Sequence, residues 1–217
     1  MSMKGISKNY FNKDYFIGRK NSNYQDYQEY DNDEYWEFIT QKVKQYKLKG
    51  NALDIGCAYG YLLKRLKPYF KQISGIDISK HAITKAKIIN PEANLKTINL
   101  NTQQLPFKDE LFDLITAIDV IEHTNDVNKT IKKIVRKLKR EGLIIITVPI
   151  KDSLLGKLFN IFDKDKSHVN ILSQKILLNI LQKNRLKIIE KNYFHHSRFG
   201  QRIKGIPSNL EIIAKKL

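Results

Sequence analysis

Three groups of residues in this sequence have types and spacings suited to chemistry. The first is the stretch Leu53-Asp54-Ile55-Gly56-Cys57-Ala58-Tyr59-Gly60. Gly56, Ala58 and Gly60 supply a turn with almost no side chains. It joins a short apolar run, Asn51 to Ile55, to a segment from Tyr61 to Tyr69 that carries Leu62, Leu63 and Leu66 on one helical face. Small residues let a ligand touch the backbone, and a helix N-terminus presents free N–H groups. The second is Asp77, which closes the apolar segment Gln72 to Asp77, 17 residues beyond Gly60. An acid at the tip of a second strand is placed to accept hydrogen bonds from both hydroxyls of a ribose. Ser79 is a good cap for the helix that follows, so Asp77 is not needed for capping. The third is His168, just before a helix that Ser173 would cap; it reads as a general base, a substrate contact or a structural histidine.

The elements that must position these groups alternate between strand and helix, which gives a doubly wound α/β sheet. Leu95 to Leu100 reads as the third strand and leads into Asn101-Thr102. Phe112 to Val120 reads as the fourth, nearly continuous and apolar, as suits a strand covered on both faces. Asp126 would cap a helix from Val127 to Arg140, and Leu143 to Pro149 follows as the fifth strand. Ser173 opens a helix to about Asn184, and Leu186 to Phe194 and Leu210 to Lys216 read as two final strands, joined by a linker. Asp54, Asp77, Asn101 and Asp119 then all fall near the carboxyl ends of strands, where open parallel sheets bind ligands. Dinucleotide folds use Gly-x-Gly-x-x-Gly, which would put a third glycine at position 61. Tyr61 stands there, which disfavours a nicotinamide dehydrogenase.

The chain of 217 residues carries a net charge of +17, built on 32 Lys and seven Arg. Such a charge suits a nucleic-acid or anionic-membrane partner, but the scarcity of Arg suits a merely solvated surface. The most concentrated basic surface is the helix after Asp126, with Lys129, Lys132, Lys133, Arg136, Lys137, Lys139 and Arg140 around the stripe Ile131, Ile134, Val135 and Leu138. The single Cys57 excludes an internal disulfide, no apolar run spans a membrane and no signal-peptide core is seen, so a cytoplasmic location is expected. His195 and His196 lack a Cys or carboxylate at ligand spacing, so no metal site is expected.

Residues 1–50 read as an N-terminal lid or helical extension, and residues 51–217 as the main domain. Tyr10, Tyr15, Tyr24, Tyr27 and Tyr30 crowd a polar segment without helical period. They would cover a ligand or pack on the domain surface. From Asp33 to Tyr46 the apolar spacing is helical. The apolar insert from Asp152 to Phe162 reads as a pocket roof, core packing or, flanked by lysines, a membrane-surface helix.

Several of these segments together resemble one family. Asp54-x-Gly56-x-Ala58-x-Gly60, the Leu-Pro-Phe at Leu105 to Phe107, Asp119-Val120-Ile121-Glu122-His123, a strand ending in Val148-Pro149 and His168-Val169-x-x-Leu172-Ser173 are similar to motifs of the class I S-adenosylmethionine-dependent methyltransferases, the type 11 and 23 groups. The resemblance covers about residues 51–217. It implies a Rossmann-like sheet of seven strands in order 3-2-1-4-5-7-6, the last antiparallel, and S-adenosylmethionine as cofactor. It implies cofactor contacts at Asp54, Gly56, Cys57, Ala58, Gly60, Tyr61, Asp77, Ile78, Asn101, Thr102, Asp119 and Val120. An aspartate is usual where Asn101 stands; an amide still offers an oxygen to an adenine amino group. Glu122, His123 and His168 are the implied catalytic or substrate contacts. The acceptor implied is a small or lipid-like molecule. RNA methylation, supported by charge, and a non-catalytic cofactor- or partner-binding module remain as alternatives.

Overall fold

The computed structural model describes residues 10–19, 22, 24–152, 165–196 and 202–217. One mixed sheet organises them. Its strands are β1 (Asn51–Ile55), β2 (Gln72–Asp77), β3 (Asn94–Thr97), β4 (Phe112–Ile118), β5 (Leu138–Pro149), β6 (Leu186–His196), β7 (Arg202–Lys204) and β8 (Asn209–Lys216). Their spatial order is β3-β2-β1-β4-β5-β8-β6-β7. β1 to β5 run parallel, and β8 inserts antiparallel between β5 and β6.

Alternation along the buried strands divides the core in two. Ala52, Leu143, Ile145 and Ile213 face one side, where helices α2 (Asp33–Gln45), α3 (Tyr61–Leu66) and α4 (Lys80–Ile89) supply Ile39, Val43, Leu63 and Ala86. Leu53, Ile144, Ile146 and Ile212 face the other, under α5 (Val127–Lys137) and α6 (Gln174–Lys183), which bury Ile131, Ile134, Leu177 and Leu181. Successive strand side chains point to opposite faces, so one run of isoleucines serves both layers. The helix starts follow local capping: the side chains of Ser79, Asp126 and Ser173 accept from Ala82 N, Lys129 N and Ile176 N. A short helix, α1 (Lys13–Phe16), precedes α2.

Three departures from the sequence reading have physical causes. The sheet has eight strands, not seven. β7 lies in the expected linker and pairs antiparallel with Phe194 to His196. It is anchored by Arg202, whose guanidinium sits 3.6 Å from the ring centre of Phe38 and 3.8 Å from that of Phe194, and 2.5 Å from Glu211. The helix from Val127 stops at Lys137, because Leu138 is fully buried and pairs with Phe112, starting β5 early. β4 stops at Ile118: Asp119 takes a left-handed φ of 52° and the chain turns into a 3-10 segment at Ile121–His123. The apolar insert lies, from residue 153 to 162, outside the described residues.

Several basic side chains of α5 are already engaged. Arg136 and Lys137 pair with Asp109, and Lys133 donates to the carbonyls of Leu100 and Gln103.

Candidate functional site

The turn after β1 is wound by left-handed residues at Gly56 (φ 73°), Ala58 (φ 45°) and Gly60 (φ 80°). Gly56 has no room for a side chain: a Cβ there would lie 2.3 Å from Val120 Cγ2. The Gly56 and Cys57 amides donate to the carbonyl of Ile76, which ties the turn to the end of β2. Asp77 completes this tie. Its carboxylate accepts from Ala58 N at 2.9 Å and Ser79 N at 2.7 Å. Burial, to 8% exposure, still outweighs those donors and pushes its pKa up to about 6. Asp54, 4% exposed, accepts from the Thr116 hydroxyl at 2.7 Å. Burial raises its pKa to about 7, against that hydrogen bond and with help from the nearby Asp77 charge. Two buried acids thus face one turn whose backbone is open to a ligand.

These groups line a pocket of about 950 Å3, its open mouth included. Its floor is the carboxyl end of the sheet: Asp54, Asp77, Asn101 and Asp119, with Gly56, Cys57, Ala58, Ile78 and Val120. Asp119 is fixed by Thr147, whose hydroxyl donates to its carboxylate at 2.9 Å. The Asn101 amide oxygen accepts from Asn125 N at 2.8 Å.

The facing wall was the part least visible in the sequence. Phe11, Tyr15, Phe16, Tyr24, Tyr27 and Trp36 line the pocket opposite the sheet end. They form a connected aromatic cluster. Phe16 packs against Tyr59 of the glycine turn at 4.9 Å between ring centres, and Tyr27 stacks on Tyr61 at 5.7 Å. Burial pushes the Tyr15, Tyr24 and Tyr27 hydroxyls well above their usual pKa, so all three stay protonated. Of the five tyrosines read in the sequence, Tyr15, Tyr24 and Tyr27 line the pocket, while Tyr10 and Tyr30 pack against the cluster outside that lining. The signal in the sequence was their density alone.

Not every expected contact reaches the pocket. Gly60 and Tyr61 lie behind it: Gly60 packs on α4, where its carbonyl accepts from Asn90 Nδ2, and Tyr61 joins the aromatic cluster. Thr102 is exposed and outside the lining, where Ile98, Asn99 and Leu100 stand instead. Asn99 was not singled out in the sequence; its side chain accepts from Asn101 N at 2.9 Å.

Beyond Val120 the 3-10 segment turns Glu122 inward to 1% exposure, and His123 to the pocket edge. Val169 N and Asn170 N both donate to the Glu122 carbonyl, at 3.1 and 2.9 Å, which brings His168 alongside. The rings of His123 and His168 are 4.8 Å apart. Burial, then the nearby Asp119 charge, raises Glu122 to about 8. Burial lowers His123 from its usual value, and His168 adds to this. Neither Glu122 carboxylate oxygen has a hydrogen-bond partner among the described residues. The three residues expected at the chemical step are therefore together, although His168 lies 45 positions beyond His123 in sequence.

A glycine turn, an acid at the tip of β2 and a pocket across the strand ends define an α/β protein that binds a small cofactor on a doubly wound sheet. A family model described as a methyltransferase domain matches residues 53–146. MJ1123 of Methanocaldococcus jannaschii is 36% identical over 154 residues, which cover 69% of this chain and 71% of that protein. The ubiquinone biosynthesis O-methyltransferase of Rickettsia typhi is 31% identical over 116 residues, 51% of this chain; the match spans only 47% of that enzyme. Among solved structures, an S-adenosylmethionine-dependent methyltransferase of Clostridium acetobutylicum shares the fold with a TM-score of 0.66 at 16% identity, over 84% of this chain and 91% of that one. The chain belongs to the class I S-adenosylmethionine-dependent methyltransferases, and S-adenosylmethionine is its cofactor. Among the described residues no helix is long and apolar enough to cross a membrane.

Proposed function

We propose that this methyltransferase acts on a hydroxyl of a small or lipid-like acceptor, held between the sheet end and the aromatic wall. The observation that carries this reading is the wall itself: six aromatic side chains line the pocket opposite the cofactor edge. The O-methyltransferase name borne by the Rickettsia typhi relative supports a hydroxyl acceptor.

The cofactor supplies a methyl group already activated on a sulfonium sulfur, so the protein's task is position and the fate of a proton. The residues present suit it. Asp77 keeps lone pairs for the ribose hydroxyls beyond those used by Ala58 N and Ser79 N. Asp54 offers a carboxylate to the ammonium of the methionine end. Gly56, Cys57 and Ala58 admit close backbone approach. Asn99 and Asn101 border the adenine, and Asp119 and Val120 stand near the transferred methyl. Glu122, His123 and His168 stand where the acceptor's proton would leave. In this reading residues 10–45 act as the lid of a domain that runs from 51 to 217. Its buried Cys57 and lack of disulfides suit the cytoplasm.

Methyl transfer from radiolabelled cofactor to pools of phenols, quinols, lipids and RNA tests the acceptor. Label is expected in the organic extracts. Label in RNA alone would overturn the reading. Hydrogen exchange tests the lid: S-adenosylhomocysteine is expected to slow exchange across the described part of residues 10–45, and unchanged exchange there would remove the lid.

A further inference from the structure

Glu122 presents an unresolved electrostatic account. Its carboxylate is almost wholly buried, yet among the described residues neither oxygen has a hydrogen-bond partner. Buried polar groups almost always find partners, so an orphaned pair calls for a missing one. Two imidazoles stand beside it. One carboxylate oxygen of Glu122, one nitrogen of His123 and one nitrogen of His168 lie within 4.8 Å of one another.

The surroundings of His123 settle which nitrogen it offers. The Ser167 hydroxyl donates to Asp165, so toward His123 Nδ1, 2.8 Å away, it acts as acceptor. The Ser167 carbonyl, at 3.1 Å from the same nitrogen, is a second acceptor. Nδ1 therefore carries the hydrogen, and the Nε2 lone pair is left for another partner. This is how metal-ligating histidines are held: the far nitrogen donates to a carbonyl or hydroxyl, which sets tautomer and ring orientation. The support extends outward, because Asp165 also accepts from the Tyr15 hydroxyl of the aromatic wall at 2.6 Å.

We propose that Glu122, His123 and His168 bind a divalent transition-metal cation at the edge of the acceptor pocket. Two imidazoles and one carboxylate suit the zinc, iron, cobalt and manganese group better than magnesium or calcium. Around such an ion, with bonds of about 2.0–2.2 Å, ligand atoms stand roughly 3–3.5 Å apart, so small side-chain rotations from the observed spacing close the site. Three protein ligands leave a coordination position open, as in catalytic metal sites. His123 lines the pocket, so that position is reached from the acceptor side. Spacing along the chain gave no hint of it, because His168 joins the other two only through the tertiary fold.

The consequence for the reaction rests on the acceptor reading above; occupancy of the site does not. An acceptor hydroxyl bound to the cation loses its proton to solvent more readily. Its oxygen then forms a bond to the methyl carbon as the carbon–sulfur bond breaks, with that electron pair passing to sulfur.

The test is Co2+ binding to chelator-dialysed protein, followed by visible absorption and by equilibrium dialysis with elemental analysis, without any acceptor. About one Co2+ per chain is expected, with visible d–d bands that Zn2+ displaces. Glu122→Gln and His168→Ala are each expected to abolish the bands while S-adenosylhomocysteine binding, read by calorimetry, persists. Absence of stoichiometric Co2+ on the wild-type protein overturns the site whatever the variants do. So does Co2+ binding that both folded variants retain. If the metal binds but chelation leaves methyl transfer unchanged, the site stands and its role in activating a hydroxyl falls.

Discussion

Asp54 carries a charge whose cost is set by its surroundings, and Asp54→Asn is expected to stabilise the protein at high pH while impairing it. The folded pKa is about 7 against an ordinary 3.8, mainly from burial. An acid with a raised folded pKa binds its proton more tightly when folded. Its penalty is therefore absent below about pH 4, grows as pH rises and is complete above about pH 7. At 1.36 kcal/mol per unit the full penalty is about 4 kcal/mol. Asparagine removes the charge and can still accept from the Thr116 hydroxyl. It also adds an amide NH2 with no evident acceptor, at about 1–3 kcal/mol. The net gain at pH 8 is about 2 kcal/mol, or roughly 4–8 °C in melting temperature for a chain of this size. At pH 5 most of the penalty has gone, and the variant's gain should shrink by about 2–3 kcal/mol, to nothing or below. Melting curves of both proteins at pH 5 and pH 8 measure this. Equal differences at the two pH values would show that Asp54 is not perturbed by burial. Affinity for S-adenosylhomocysteine at pH 8 should fall about 10–100-fold, the worth of one lost charged hydrogen bond; an unchanged affinity would leave Asp54 a purely structural acid.

Three further substitutions probe other parts of the site. Asp77→Ala should weaken S-adenosylhomocysteine binding about 10–100-fold in calorimetry; unchanged affinity in a folded variant would remove the ribose assignment. Gly56→Ala forces a Cβ to 2.3 Å from Val120 Cγ2 at a φ of 73°. It should cost about 1–3 kcal/mol in urea unfolding, and an unshifted midpoint would mean that the turn yields freely. Arg202→Ala strips the cationic partner from Glu211, which is 2% exposed and keeps only the Asn192 amide as a donor among the described side chains, and empties the gap between Phe38 and Phe194. About 3–5 kcal/mol should be lost; a loss below 1 kcal/mol would show that β7 is not anchored by this residue.

Much of the fold was legible because it is written in local chemistry. Ser79, Asp126 and Ser173 start their helices because a short side chain with an acceptor oxygen satisfies amides two or three residues on, whatever surrounds it. The glycine turn, the acid at the end of β2 and the parallel strands were legible for the same reason. The boundary between α5 and β5 was not. Helical spacing continues through Leu138, and only pairing with Phe112 takes that residue out of the helix.

The sequence by itself determined a doubly wound sheet, the small-residue turn from Gly56 to Gly60 and the acid at Asp77, since each depends on residues within one turn or strand of one another. Tertiary structure alone decided the rest. It laid aromatic residues of the N-terminal segment over the pocket, folded β7 against β6 through an arginine held between two aromatic rings, and set His168 beside Glu122 and His123. These arrangements join residues far apart in the chain. Their free energy comes from burial and from pairing partners, and the spacing of residues carries no record of which distant surface will bury them.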